Sequence, residues 1–246
     1  MKPYEKKYVI EKIREYNEKI SLGKIGDFEI KKIKWLEGII KGYMYEKEGV
    51  IKEDILELHG PKNIWMRITP LEIESSYMPI SRAVGKVGIV GLGLGYVVQE
   101  MAKKDSVKEI IVYEIDKDVI ELYKNNFKEN EKIKILNEDA FKAESQDFDF
   151  FYVDIYEYKL TKKVVKDYIH FNNLHRIEEY SFWGMEHFLL SCRYEEIVWV
   201  FIPENWMEMS REIFEALKEE GLLTYYKKLD TKLVSSVLSD FKVALE

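Results

Sequence analysis

Apolar residues at Tyr8, Val9, Ile13, Tyr16 and Ile20 recur at close to helical spacing and predict a helix over 4–20. From 27 to 69 the period is less settled, and Phe28, Ile30, Ile33 and Trp35 fit either a strand pair or a helix. Within that stretch, ILELHGPKNIWMRIT places two apolar runs around His-Gly-Pro-Lys-Asn, the pattern of a hairpin. The pattern then changes. Short, nearly unbroken apolar runs at 87–90, 109–114, 132–136 and 148–153 alternate with helix-like stretches, as in buried parallel strands joined by helices. A fifth run lies at 195–203, followed by a helical pattern closed by Gly221, one candidate strand in LLTYYKKL and a last stretch of helical spacing. Residues 160–193 are rich in aromatics and helix formers and read as a helical insert. The predicted organisation is an extension over 1–80, a helix with a small β hairpin, followed by an α/β domain over 81–246.

The stretch 86–116, KVGIVGLGLGYVVQEMAKKDSVKEIIVYEID, carries the chemistry. The run Val87 to Val90 meets three alternate glycines, Gly91, Gly93 and Gly95, and a second apolar run ends in Glu114. Glycine permits positive φ and has no Cβ to obstruct a ligand near the backbone. Backbone N–H groups at the start of the following helix favour a polar or anionic ligand end. Glu114 lies 23 positions after Gly91, and an acid about 20 residues past the glycines can accept hydrogen bonds from both hydroxyls of a ribose. A P-loop is excluded, because no Gly-Lys-Ser/Thr closes the turn. A dinucleotide fingerprint wants a small residue where Tyr96 stands, which weakens a nicotinamide-dependent oxidoreductase. The bland alternative is that the glycines only make a tight turn.

The loop is G-x-G-x-G, a spacing similar to motif I of class I S-adenosylmethionine-dependent methyltransferases. Two later segments extend the resemblance: KIKILNEDAFKA, with Asp139-Ala140 after a short strand, and DFDFFYVDIYEY, a buried-strand pattern ending at Asp154. Four motifs in order span about 85–156, and the wording is most similar to the spermidine-synthase-like branch. The resemblance implies a Rossmann-like methyltransferase sheet flanked by helices and S-adenosylmethionine as cofactor. By the same resemblance Gly91, Gly93 and Gly95 hold the methionine end, Glu114 with Ile115 the ribose side, and Asp139 with Ala140 the adenine. The N-terminal β extension of spermidine synthases is a further point of similarity. Aminopropyl transferases carry an Asp-rich loop after the fourth strand; here Asp154-Ile155-Tyr156-Glu157 has one Asp, which counts against polyamine chemistry. The Asn/Asp-Pro-Pro-Tyr/Phe signature of many amino-directed methyltransferases is absent, which argues against DNA adenine or cytosine-N4 methylation.

Methyl transfer from a sulfonium needs chiefly proximity and alignment, with a base only if the nucleophile arrives protonated. The end of the fourth strand faces the reaction in this family, so Asp154 and Tyr156 are the catalytic candidates and Tyr158 a pocket residue. A carboxylate can pair with a cation or take a proton, and a tyrosine face attracts a sulfonium or ammonium. The alternatives are a loop or cap acid for Asp154 and ordinary packing for the tyrosines. Thr69 and Tyr77, just before the core, are pocket candidates by the same resemblance, and Thr69-Pro70 also reads as a helix start. In the insert, His170, His175, Glu186 and His187 show no metal-ligand spacing, so no metal is expected.

Charge and composition narrow the partners. Net charge is −7 with 46% apolar residues, an ordinary globular chain without the basic surplus of a nucleic-acid binder. The single cysteine, Cys192, excludes an internal disulfide. No apolar run is long enough to span a membrane, and the charged N-terminus is not a signal peptide, so a cytoplasmic location is expected. The expected partner is a small-molecule acceptor, with neither nucleic acid nor membrane; a homodimer is compatible with the sequence. Two rivals to methyl transfer stand: aminopropyl transfer, and a non-catalytic cofactor-binding or scaffold protein.

Overall fold

The computed structural model describes residues 6–34, 39–41, 46–48, 52–156 and 162–182. Helix α1 (Lys6–Lys19) opens the chain and buries Val9, Ile13 and Tyr16. The unsettled stretch after it is β structure: β1 (Gly23–Ile25), β2 (Phe28–Lys34), β3 (Ile39–Lys41), β4 (Glu46–Glu48), β5 (Asp54–His59) and β6 (Ile64–Arg67). Alternating burial along Phe28, Glu29 and Ile30 is the period-2 pattern of a strand with one face covered. Four of these strands form an antiparallel sheet in the order β1-β2-β5-β6, and β3 pairs with β4 separately. The β5–β6 hairpin is the one expected around His59-Gly60-Pro61-Lys62-Asn63. Helix α2 (Pro70–Arg82) follows, with Thr69 accepting the Glu72 N–H at 3.3 Å as its N-cap and Pro70 in the first turn.

The second half alternates strand and helix: β7 (Gly85–Val90), α3 (Tyr96–Ala102), β8 (Val107–Glu114), α4 (Lys117–Asn126), β9 (Ile133–Asn137), a short 3-10 turn (Ala140–Lys142), β10 (Asp147–Val153), α5 (Lys162–Leu174) and β11 (Arg176–Phe182). The five strands are all parallel and ordered β11-β10-β7-β8-β9. This is the doubly wound order 3-2-1-4-5, whose ligand crevice opens at the carboxyl ends of the strands where the winding reverses, here between β7 and β10. The described residues make a Rossmann-like α/β fold, a parallel sheet with its connecting helices.

Within the stretch expected as a helical insert, 160–193, the described residues 162–182 are helix over α5 and then strand over β11, which takes the sheet position beside β10. The run expected as fifth strand, 195–203, lies outside the described residues, as do Tyr158, Trp183, Glu186, His187, Cys192 and the C-terminal elements. Among the described residues no helix is long and apolar enough to cross a membrane.

Extension and sheet share one continuous core. Helix α1 is fastened to α3, the helix after the glycine loop: Tyr16 Oη donates to Glu100 Oε1 at 2.8 Å and Lys12 Nζ to Glu100 Oε2 at 2.7 Å. Tyr16 also packs edge-on against Tyr96, with centroids 4.9 Å apart. Burial alone would raise the neighbouring Glu15, but Lys103, Lys19 and Lys12 outweigh it and hold its carboxyl down to about 2. The extension thereby gives α3 and the loop before it a fixed backing.

Candidate functional site

Strand β7 ends at Val90, and the chain turns through Gly91 and Gly93 with φ of 96° and 52°. A Cβ on Gly91 would lie 2.6 Å from the backbone oxygen of Asp154, and one on Gly93 would lie 2.5 Å from Met66 Sδ. Both positions therefore need glycine for conformation and for space. Gly95 begins α3. The Asp154 N–H donates to Val90 O at 2.9 Å, so the ends of β7 and β10 are joined where the loop leaves the sheet.

Glu114 ends β8 and turns its carboxylate onto the loop. Oε2 accepts the Leu92 N–H at 3.0 Å and Oε1 accepts the Asp116 N–H at 2.9 Å. Burial raises its pKa, against the backbone hydrogen bonds that favour the charged form. Each carboxylate oxygen keeps a second lone pair, so the group still has capacity for a pair of hydroxyls. Asn137 Nδ2 donates to the backbone oxygens of Glu114 and Ile115, both at 3.0 Å, which holds the strand tip in place. Ile115 beside it is 72% exposed and Ile155 38%, two apolar side chains presented at the strand ends.

Asp139 follows β9 and caps the 3-10 turn, accepting the Phe141 N–H at 3.1 Å and pairing with Lys142 at 3.2 Å. Ala140 is buried beneath it. Thr69 is buried as the α2 cap, and Tyr77 meets Tyr8 of α1 edge-on at 6.0 Å. The Tyr156 hydroxyl donates to Asp167 Oδ2 of α5 at 3.0 Å, and burial raises the pKa of both groups.

The Asp154 carboxyl is buried by the protein around it, although the residue as a whole keeps some accessible area. Burial raises its pKa well above the ordinary carboxylate range, and the charge of Glu72 raises it further. Glu72 comes from the first turn of α2, a helix that also buries Glu74, Ser75 and Ser76. Ser76 Oγ donates to Glu72 Oε1 at 3.2 Å.

The structure thus gathers Gly91, Gly93, Glu114, Ile155, Asp154 and Glu72 around the ends of β7, β8 and β10, with Asp139 at the end of β9. Sequence reasoning missed Glu72 and Asp167. Thr69-x-x-Glu72 reads as a helix-capping pattern, which hid the acid. The available signal was the run Glu72-Ile73-Glu74-Ser75-Ser76, too polar for a helix face that must pack. Among the described residues no group of three His, Cys, Asp or Glu side chains could hold a metal.

Residues 77–182 match the sequence model of the spermine/spermidine synthase domain, a stretch of less than half the chain. Over this span the chain is spermidine-synthase-like. No curated protein matches. Solved structures align at low identity. Spermidine synthase from Thermotoga maritima is 17% identical over 64% of this chain and 52% of its own, with a TM-score of 0.39. The ribosomal protein L11 methylase from Lactobacillus delbrueckii subsp. bulgaricus is 14% identical over 44% and 56%, at 0.35. Phosphoethanolamine N-methyltransferase 1 from Haemonchus contortus is 12% identical over 42% and 24%, at 0.33. The chain spans at most a little over half the length of these proteins. The spermidine-synthase-like span begins inside α2 and ends with β11, so it includes the glycine loop, Glu114, Asp139 and Asp154.

Proposed function

We propose that this protein is a transferase that binds an S-adenosylmethionine-type donor at the glycine loop and methylates a small cationic amine. The residues fit such a donor: the glycine loop carries no side chains of its own at 91 and 93, Glu114 offers two carboxylate oxygens at the strand tip, and Ile115 and Ile155 offer apolar surface for a base. When bound, the donor supplies an electrophilic carbon on a sulfonium, and its sulfur leaves as a neutral thioether.

The observation that carries the acceptor class is the buried Asp154 carboxyl, whose proton affinity the charge of Glu72 raises further, on a residue whose backbone lies against Gly91. Two neighbouring acids raise each other's proton affinity, and a cation bound beside them is favoured by both charges. An ammonium supplies that cation. Asp154, with its pKa raised, is suited to take the ammonium proton and free the nitrogen lone pair for attack on the methyl carbon. The carbon–nitrogen bond forms as the carbon–sulfur bond breaks, and the proton remains on Asp154 until solvent removes it. The cytoplasmic location and small acceptor expected from sequence belong to this reading.

Aminopropyl transfer is the second reading, and one observation favours it. The sequence shows one Asp after the fourth strand, but the fold adds Glu72 from α2, so Asp154 is not alone. A single assay separates the two. The protein is incubated with either S-adenosylmethionine or its decarboxylated form and a panel of amines including putrescine, and products are read by mass. Methylated amine with S-adenosylhomocysteine supports the first reading, and an aminopropylated amine with methylthioadenosine the second. Turnover of neither donor contradicts both.

A further inference from the structure

The thioether of Met66 occupies a place on the glycine loop. The Leu94 N–H donates to Met66 Sδ at 2.9 Å, and the same sulfur lies 2.5 Å from where a Cβ on Gly93 would stand. Met66 reaches the loop from β6, which belongs to the extension and not to the parallel sheet. Among the described residues β6 is at the end of its sheet and pairs with β5 alone. Its register slips beside Met66: Leu58 faces Met66 and His59 faces Ile64, so Trp65 is left unmatched as a bulge. Ile64 and Trp65 are 39% and 64% exposed, and Met66 is the one residue of the strand turned inward.

A backbone N–H on this loop is the kind of group that a polar ligand end takes. Here a second loop N–H, that of Leu92, is held by Glu114. Glu114 can keep that bond and still accept hydroxyls. Met66 cannot stay and leave room, because its sulfur fills the space that glycine keeps open. The methionine side chain has three rotatable bonds and a soft sulfur, so it can swing aside without unfolding the strand.

We propose that Met66 is an internal ligand of the glycine loop that competes with the donor for the Leu94 N–H and the space over Gly93. The inference rests on the donor-binding reading above. Met66 in its seated position holds the loop ready and protects its amide from other contacts. The donor displaces it on binding, and measured affinity is reduced by the fraction of molecules with Met66 seated.

The test is calorimetric titration of the full chain with S-adenosylhomocysteine, comparing wild type with Met66→Leu and Met66→Ala, alongside the NMR signal of a 13C-labelled Met66 methyl group. Met66→Leu keeps apolar volume for folding but cannot accept the hydrogen bond. Both variants are expected to bind about three- to tenfold more tightly than wild type, and the Met66 methyl signal to move with the same saturation curve as the heat. Equal or weaker binding by the variants, with wild type binding normally, overturns the inference and leaves the donor reading standing. Absence of binding by all three proteins overturns the donor reading itself, and this inference with it.

Discussion

Glu72, in the first turn of α2, places its charge against Asp154 at the end of β10 and raises the affinity of that carboxyl for a proton. One acid comes from the extension and the other from the end of a parallel strand, so the pair is built by the fold and not by neighbouring sequence. Burial is the larger cause of the raised Asp154 pKa and Glu72 the second. An acid kept in such surroundings costs stability where it is ionised.

Asp154→Asn is therefore expected to stabilise the protein at neutral pH by about 1 kcal/mol or more, while reducing transfer at least about a hundredfold. The sign follows from proton binding. With its folded pKa above the unfolded one, Asp154 holds more protons in the native state, so wild-type stability falls as pH rises from the ordinary carboxylate range through the folded pKa. The difference between variant and wild type should widen over that window and vanish below it. Thermal melts across pH check this; a variant less stable than wild type at neutral pH contradicts it.

Glu114 connects β8 to the loop, and its removal has two separable effects. Glu114→Ala leaves the Leu92 and Asp116 N–H groups without their acceptor, at a cost of about 1–3 kcal/mol in urea unfolding. It should also weaken S-adenosylhomocysteine binding by about tenfold or more, because the acceptor for the ribose hydroxyls is gone. Glu114→Gln, which keeps one carbonyl oxygen, should fall between. Unchanged affinity in the alanine variant removes the ribose assignment.

Gly91 and Gly93 both need positive φ, yet they differ in what a side chain would strike. At Gly91 the obstacle is the backbone of Asp154, and at Gly93 it is the movable Met66 sulfur. Gly93→Ala should cost about 1–2 kcal/mol, the conformational strain alone, and Gly91→Ala more, because β10 must shift. Equal losses in chemical denaturation count against the close joining of β7 and β10.

Much of the fold was legible. Strands 85–90, 107–114, 133–137 and 147–153 are nearly unbroken apolar runs because parallel strands are covered on both faces. Strand β11 was not, since RIEEYSF buries Ile177 and Tyr180 three positions apart, off the period-2 spacing of a strand, and Glu178 and Glu179 suit a helix by composition. The strand is specified by its partner β10 and by the Arg82–Glu179 ion pair, a contact made across 97 residues. The loop and its acid were legible for a local reason, strand, turn, helix and strand being consecutive. Glu72 and Asp167 were not, because each meets its partner, Asp154 or Tyr156, only through the fold.

His175 gives a second pH signature, of opposite sign. Its ring is buried among Phe148, Phe151 and Phe171, and Nδ1 accepts the Gln146 N–H at 3.2 Å, which defines the neutral form. Burial, with His170 nearby, pushes its pKa down to about 4. The unfolded state then binds more protons between about 6.5 and about 4, so stability falls as pH drops through that window. His175→Phe should flatten this part of the profile. An unchanged acid limb in the variant contradicts a buried neutral His175.

Donor binding at the glycine loop is the claim on which the rest depends. Isothermal calorimetry of the wild-type chain with S-adenosylhomocysteine at neutral pH tests it most directly. The expected result is one site with micromolar affinity, about 8 kcal/mol. Absence of heat, with no rise in melting temperature at millimolar ligand, contradicts it.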